Sequence, residues 1–246
     1  MLRRLLIGFL FLIPSTAVFP QLASDTTFLD EAIQNATQRY YRAIGSQAKI
    51  YNGSRYPESD ASVEEHPFFL SEDWFIGDAF YDGELFKNVP LMYDIVTSNL
   101  VTEHLSSGHP IQLITAKLKR FSLAGHNFEK IENESVGGSL PKTDFYDIVY
   151  SGETKVIALH QKIVRERFES GGVVTYFPEK TRYFLFKNRI FFHVKSKASA
   201  LKAFQDKKQS LKKILRANKI IFSLDREASL KVMAQFYDSL KNELKP

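Results

Sequence analysis

The alternation of apolar and polar residues changes its period twice along the chain. Between residues 28 and 44, apolar side chains recur every three or four positions, which predicts an amphipathic helix. From residue 49 to 194, short runs rich in Val, Ile, Phe and Tyr alternate with turn dipeptides, a pattern typical of β-strands. After residue 194, helical spacing returns over residues 202–218 and again from Asp225 onward.

The central region predicts a series of short strands without intervening helices. Parallel strands need long crossover connections, so antiparallel pairing is the expected arrangement. The predicted fold class is α+β: a mainly antiparallel β-sheet, as a sandwich or partial barrel, with an N-terminal helix and a C-terminal helical tail. The strands are predicted near 48–52, 74–81, 84–87, 91–96, 99–105, 111–118, 145–150, 154–166, 173–177, 181–186 and 189–195.

Local turn chemistry marks two hairpins. Asp82-Gly83 separates two apolar runs and is typical of a two-residue turn that needs positive φ at both central positions. Lys187-Asn188 predicts a second short link. The polar stretches 56–67 and 129–142 are predicted to be exposed loops. In the tail, Asp206 and Asp225 are predicted helix N-caps.

The first 23 residues have the pattern of a secretory signal peptide. Arg3-Arg4 precede an apolar run from Leu5 to Ile13, which Pro14 ends. Small residues follow, and cleavage is predicted near Ala17 or Ala23; an uncleaved signal anchor is the alternative. The predicted organisation is therefore a signal peptide (1–23), a β-rich body with its N-terminal helix (24–195) and a basic helical tail packed on it (196–246).

Composition limits the cellular compartments in which the protein is expected. The chain has no cysteine, which excludes disulfides, thiolate chemistry and cysteine-ligated zinc. A cysteine-free exported protein of 246 residues suits a bacterial envelope better than an animal secretory route. The predicted location is the periplasm or cell envelope of a gram-negative bacterium.

Charge is divided unevenly between the body and the tail. Residues 195–246 hold 13 Lys and Arg against 5 Asp and Glu, a net charge of +8, whereas residues 24–194 carry −5. A cationic helix face attracts anionic membrane surfaces. The alternative is a solvated face lying against the acidic body. Nucleic acid is not an expected partner, because export separates the two and no aromatic residues interleave with these cations. The predicted surface contacts are Lys207, Lys208, Lys212, Lys213, Arg216 and Lys219.

Motifs for catalysis are missing from the sequence. The chain has no nucleophile elbow, P-loop, dinucleotide fingerprint or zincin helix, and its histidines lack metal-ligand spacing. No catalytic, cofactor-binding or metal-binding residue and no cofactor are therefore predicted, and an enzyme is the less favoured reading. A carboxylate pair for hydrolysis, if present, comes from Glu64, Glu65, Glu72, Asp73, Asp78, Asp82 or Asp94. Four aromatic–Asp steps, ending at Asp82, Asp94, Asp147 and Asp238, are interpreted as a coincidence of composition rather than a sugar or ion site.

Two stretches carry a resemblance. YDGELFKNVPLMYDIVTSNLV, taken with YFLFKNRIFFHVKSKASALKAFQDKKQSLKKILRANKIIF, resembles a loose class of uncharacterised exported β-rich envelope proteins of gram-negative bacteria. These proteins share a YDG…NVPLxYD core followed by a basic helical tail. The resemblance implies an envelope location and brings no activity, substrate or catalytic residue.

Three functional hypotheses follow from these patterns. The first is an exported, non-enzymatic envelope protein that binds a partner protein or assembly through its β-rich body. The second is a periplasmic carrier or sensor of a lipid or other apolar ligand, held between a curved sheet and its covering helices. The third is a carboxylate-dependent periplasmic hydrolase. The sequence does not predict an oligomeric state.

Overall fold

The computed structural model describes residues 22–57, 65–132, 137–138, 140–169 and 171–242. The described residues divide between Ile44 and Gly45 into two compact units. In the first, helix α1 spans Leu22–Ile44. The prediction that a helix here covers the core of the body stays a prediction. No helix in the described part of the chain is both long enough and apolar enough to cross a membrane.

The second unit is built on one large sheet. Strand order is β1-β5-β4-β3-β2-β6-β7-β9-β10-β13-β14-β8, and β11 with β12 forms a separate hairpin. Among the described strands, only the β14–β8 pair is parallel. The prediction of a mainly antiparallel sheet with helices is confirmed. The strands are β1 (Ser54–Arg55), β2 (Phe75–Tyr81), β3 (Glu84–Asp94), β4 (Asn99–Glu103), β5 (Pro110–Gln112), β6 (Leu118–Leu123), β7 (His126–Ile131), β8 (Gly137–Gly138), β9 (Asp144–Ser151), β10 (Lys155–Lys162), β11 (Arg165–Glu169), β12 (Gly172–Tyr176), β13 (Glu179–Lys187) and β14 (Ile190–Val194).

The hairpin between β2 and β3 forms as its turn chemistry predicts. Asp82 and Gly83 have φ of 50° and 84°, and Tyr81 pairs with Glu84. The predicted break at Asn88-Val89-Pro90 is wrong, because β3 runs without interruption to Asp94. A register shift absorbs Asn88, whose N–H donates to Asp78 Oδ1 at 3.0 Å. The residues that read as an interruption therefore form a β-bulge.

Other strand boundaries also differ from the prediction. Residues 49–51 form a 3₁₀ helix rather than part of a strand. The predicted strand 111–118 contains the last two residues of β5 and only the first residue of β6, and the rest of β6 and all of β7 lie where no strand is predicted. The long strand 154–166 divides into β10 and β11. Part of the predicted loop 129–142 belongs to β7. The β6–β7 turn places Ala124 at φ 50°, a position where alanine gives no turn signal in the sequence.

Both faces of the sheet are buried where β10 passes through the core. Val156 packs with the tail helices, whereas its neighbour Ile157 packs with Tyr146 and Phe184 on the opposite face. A strand buried on both sides has an uninterrupted apolar run instead of alternation, as residues 156–159 do.

The C-terminal segment forms three helices instead of two. These are α2 (Lys197–Ala203), α3 (Lys208–Ala217) and α4 (Arg226–Asn242). Ser196 and Ser199 form a capping box at the start of α2. Asp225 caps α4 as predicted, since its carboxylate accepts the N–H of Ala228 at 2.8 Å.

Asp206 is not a helix cap, contrary to the prediction. It lies in a 3₁₀ turn between α2 and α3, and its carboxylate accepts hydrogen bonds from Lys187 Nζ at 2.7 Å and Tyr237 OH at 2.9 Å. The carboxylate therefore joins β13 to α4. Burial opposes its ionisation, but the bonds from Lys187 and Tyr237 outweigh burial and lower the pKa of Asp206.

Asp206→Asn is expected to make the protein less sensitive to acid. A carboxyl with a lowered folded-state pKa stabilises the fold above its ordinary pKa, and this stability is lost as pH falls through the lower value. The wild-type free energy of unfolding should therefore fall more steeply than that of the variant below about pH 4. Urea unfolding at a series of pH values measures both, with Glu166→Gln on exposed β11 as control. Parallel pH curves for all three proteins would refute the role of Asp206.

Candidate functional site

The six cations predicted from the sequence lie on and around α3. Leu211 and Leu215 form the buried stripe of this helix. Lys208 and Lys212 are half-buried beside that stripe, and the remaining cations of the helix are exposed. Four of the six lie on α3 and two lie just outside its ends, and their contact with an anionic surface stays a prediction. The full set is Lys207, Lys208, Lys212, Lys213, Arg216 and Lys219.

A second group of cations, which the sequence reading missed, lines a cavity at the end of β13 and β14. We call this cavity of about 230 Å³ the cationic pocket. Arginine, lysine and histidine side chains supply all of its titratable lining, and no carboxylate is among the lining residues. The pocket is lined by Lys180, Thr181, Arg182, His193, Val194, Lys195 and Arg226.

The register of the β13–β14 hairpin brings these cations together. Phe184 pairs with His193, and their rings stack with centroids 5.0 Å apart. Because alternate residues of a strand point to the same face, Arg182 and Lys180 continue the face of Phe184. Lys195 continues the face of His193. Arg226, the first residue of α4, completes the pocket from outside the sheet.

The electrostatics of the cationic pocket favour an anion. Burial, together with the nearby charges of Lys195, Arg182 and Lys180, lowers the pKa of His193. The charge on His193 is therefore disfavoured because the pocket is already positive. A bound anion would relieve this repulsion.

Arg182 provides an independent sign of a missing partner. Its Nη2 donates to Gln161 Oε1. Its Nε–H is buried and has no hydrogen-bond partner within the described residues. An unsatisfied buried donor costs about 1–3 kcal/mol, so native proteins supply an acceptor such as an ion or water.

An apolar groove adjoins the cationic pocket and shares Lys195 and Arg226 with it. The groove has a volume of about 450 Å³, and the segment between α3 and α4 supplies its apolar wall. Ile221 is 57% exposed, and Leu224, three residues on, is 81% exposed. Apolar side chains so exposed beside a cationic pocket are typical of surfaces that bind amphiphilic anions. The groove is lined by Lys195, Ser196, Lys197, Ile220, Ile221, Phe222, Ser223 and Arg226.

A different and larger groove lies along β2, β6, β7 and β9. It has a volume of about 690 Å³ and carries charges of both signs. The guanidinium of Arg120 lies 4.9 Å from the centre of the Phe80 ring on its wall. This groove has neither a uniform charge nor a cluster of converging acids, so its lining identifies no ligand class.

Three of the carboxylates proposed for hydrolysis have structural partners. Asp78, which lines the large groove, accepts the N–H of Asn88 at the bulge. Asp82 pairs with Lys117 at 3.2 Å beside the hairpin turn. Asp94 is buried and accepts the N–H of Thr97 at 3.0 Å. These bonds account for the three carboxylates without a substrate. Glu64 lies outside the described residues.

Three of the four aspartates at the aromatic–Asp steps have separate structural roles, and the interpretation of their recurrence as a coincidence of composition stays a prediction. Asp94, Asp147 and Asp238 are each at least 95% buried and hydrogen-bonded. Asp94 organises the turn after β3, Asp147 holds two histidines, and Asp238 ties α4 to the β9–β10 hairpin. Asp82 belongs to an exposed turn, as predicted.

The structure is that of a β-rich protein with flanking helices and a cavity lined by cations on the β13–β14 hairpin. Comparisons with protein-family models, curated proteins and solved structures find no match to this chain. Any assignment of function therefore rests on the geometry of the site.

Proposed function

We propose that this protein is a non-enzymatic envelope protein that binds the anionic headgroups of a membrane surface through its cationic pocket. The observation that carries the proposal is the lining of that pocket: Lys180, Arg182, Lys195 and Arg226 with no carboxylate among them. Guanidinium groups bind phosphate oxygens in a forked, charge-assisted geometry. The Nε–H of Arg182 is buried without a partner in the described residues, and a phosphate oxygen that reached it would satisfy this donor.

The apolar groove favours a lipid over a free anion. A lipid headgroup in the cationic pocket would place its acyl region near Ile221 in the groove, and Leu224, three residues further along the same segment, is also exposed. Surface binding strengthens when apolar burial is added to charge attraction. The α3 cations, which the sequence predicts as surface contacts, are a second positive group that could face the same membrane.

Export remains part of this proposal. The predicted signal peptide, residues 1–23, lies outside the described residues except for its last two positions. Export to the envelope would expose the protein to anionic lipid headgroups, which fits the pocket and the absence of cysteine. We further propose that the sheet curls into a partial barrel, supported by a hydrogen bond from Lys162 N to Ile95 O at 3.2 Å that joins β10 to the end of β3.

The alternative of an enclosed lipid carrier has less support. Aromatic rings fill the face of the sheet that such a carrier would need for its ligand. Tyr93, Phe121 and Phe128 pack with centroids 4.8 to 5.1 Å apart, and Phe69 stands 5.3 Å from Phe128. Rings in mutual contact leave no room for an acyl chain between them. A surface site is therefore the better-supported proposal.

Charge reversal in the cationic pocket is expected to weaken vesicle binding by at least about 30-fold. The double variant Lys180→Glu/Lys195→Glu removes two cations, each contributing about 1 kcal/mol at an anionic surface, and adds two anions that this surface repels. Cosedimentation with vesicles of phosphatidylcholine containing phosphatidylglycerol measures the affinity. Binding of the wild type should fall as salt rises and be absent on phosphatidylcholine alone.

The matched control makes the same change of charge elsewhere on the sheet. Lys87→Glu/Lys119→Glu, on β3 and β6, should retain most of the binding. An equal loss in both double variants would reduce the effect to net charge and contradict a pocket. Ile221→Ser/Leu224→Ser should weaken vesicle binding but leave binding of inorganic phosphate unchanged. If Lys212→Glu/Lys213→Glu alone abolishes binding, the α3 surface rather than the pocket is the site.

A further inference from the structure

Three side chains from neighbouring strands form a cluster that no pattern in the sequence predicts. His126 comes from β7, Asp147 from β9 and His160 from β10. Asp147 pairs with Phe128 on one side and with Ala158 on the other. His126 lies two residues from Phe128, and His160 lies two residues from Ala158, so both histidines point to the same face as Asp147.

The contacts within the cluster converge on one carboxylate oxygen. His126 Nδ1 lies 2.6 Å from Asp147 Oδ2, and His160 Nε2 lies 3.4 Å from the same atom. The three atoms that could act as ligands all lie within 4.8 Å of one another. Both imidazoles therefore face a single acceptor, and their own nitrogen atoms lie no more than 4.8 Å apart.

Burial gives the cluster a closed and an open side. The side chains of Asp147 and His160 are 3% and 7% exposed, whereas that of His126 is 29% exposed. The ring of Phe69 packs 5.0 Å from His126 and 4.8 Å from His160, between centroids. Solvent therefore reaches the cluster from the side of His126 and is excluded elsewhere by aromatic rings.

The orientation of His160 is fixed from outside the cluster. Its Nδ1 lies 3.0 Å from Thr181 Oγ1, so its Nε2 is directed to Asp147. In metal sites, the second nitrogen of a histidine ligand has such a hydrogen-bond partner, which sets the tautomer and the ring orientation.

We infer that His126, Asp147 and His160 form a binding site for a divalent transition metal of the zinc type. Two imidazole nitrogens and one carboxylate oxygen suit zinc and its neighbours better than magnesium or calcium, which prefer oxygen ligands. Three protein ligands with an open fourth position are the arrangement of zinc sites that hold water or substrate. The open position here is on the solvent side, at His126.

The distances require a small movement to admit the ion. Two ligands bound at about 2.1 Å to a tetrahedral ion lie roughly 3.4 Å apart. His160 Nε2 and Asp147 Oδ2 already have that separation, at 3.4 Å. His126 Nδ1 must withdraw by roughly 0.8 Å, and its half-exposed ring follows directly after the Ala124-Gly125 turn. The ion would replace the hydrogen-bonding protons of both imidazoles.

Cobalt and zinc titrations test this site directly. Protein treated with chelator and dialysed should bind one Co²⁺ per chain, with visible absorption bands of a nitrogen- and oxygen-ligated ion, and Zn²⁺ should displace it. His126→Gln and His160→Gln should each reduce affinity by at least about 100-fold, and Thr181→Val, which removes the outer hydrogen bond, by about 10-fold. His104→Gln and His109→Gln, at the β4–β5 turn, are the matched controls and should bind as wild type.

The results that overturn the site are equally specific. Wild-type protein without a 1:1 metal complex, or His126→Gln binding as tightly as wild type, shows that the three groups form a hydrogen-bonded lock only. Equal weakening by His104→Gln shows adventitious binding. If circular dichroism shows that His160→Gln does not fold, His126→Gln at its half-exposed position carries the test. The absorption readout needs no vesicle, so failure of the metal site and failure of lipid binding are distinguished.

Discussion

Gly77→Ala is expected to abolish folding or to lower the free energy of unfolding by more than about 4 kcal/mol. Gly77 lies in β2, and a Cβ at this position would stand 1.9 Å from the carbonyl oxygen of Ser122 and 3.1 Å from Leu91 Cδ1. The oxygen belongs to the backbone of the adjacent β6 and cannot rotate away. The added methyl group would therefore push β2 and β6 apart at the centre of the sheet.

Gly171 offers a matched control for this substitution. It lies beside the turn of the β11–β12 hairpin, where an added Cβ meets nothing within 4 Å. Gly171→Ala should change the free energy of unfolding by less than about 0.5 kcal/mol. Urea unfolding followed by the fluorescence of Trp74, the single tryptophan, measures both variants. A Gly77→Ala protein as stable as Gly171→Ala would show that β2 and β6 separate without loss.

The contrast between Gly77 and Gly83 shows what a sequence predicts. The role of Gly83 is local, since Asp82-Gly83 needs only its own backbone angles to form a turn, and the prediction of this hairpin is confirmed. Gly77 is required because a strand 45 residues away approaches it. The residues near Gly77 in the sequence do not indicate that β6 approaches it, so the sequence predicts no role for this glycine.

Most of the cationic pocket could be predicted from the sequence. Lys180, Arg182, His193 and Lys195 occupy alternate positions on two strands that were predicted to form a hairpin. Period-two alternation places each pair on one face. Charge summed along the sequence, rather than on each face of the predicted strands, places the positive surface on α3. Arg226 arrives only through tertiary packing, and nothing near it in the sequence indicates this.

The histidine–aspartate cluster could not be predicted from the sequence. The sequence predicts a loop over part of β7. The turn before His126 has Ala124 at positive φ, and alanine is not a residue that indicates such a turn. Without β7, Asp147 has no neighbour on one side. The ligands are separated by 21 and 13 residues, and only the strand register aligns them. Metal sites assembled across strands lack the fixed spacing of sites on helices and knuckles.

Asp238→Ala is expected to lower the free energy of unfolding by about 3–5 kcal/mol. The carboxylate of Asp238 is buried in α4 and accepts the N–H of Thr154 at 3.0 Å, its hydroxyl at 2.6 Å and the hydroxyl of Tyr150 at 3.0 Å. Alanine would leave three donors without an acceptor at the β9–β10 turn. Each unsatisfied buried donor costs about 1–3 kcal/mol.

The measurement separates the loss of these bonds from a general weakening of α4. Gln235→Ala, one turn earlier on the exposed side of the same helix, should leave the free energy of unfolding within about 0.5 kcal/mol of wild type. Asp238→Asn keeps the shape and one acceptor, so its loss should be smaller than that of alanine. The carboxylate anchors the helix only if alanine costs more than asparagine and asparagine more than Gln235→Ala. Equal losses for the three variants would mean that apolar packing alone holds α4 on the sheet.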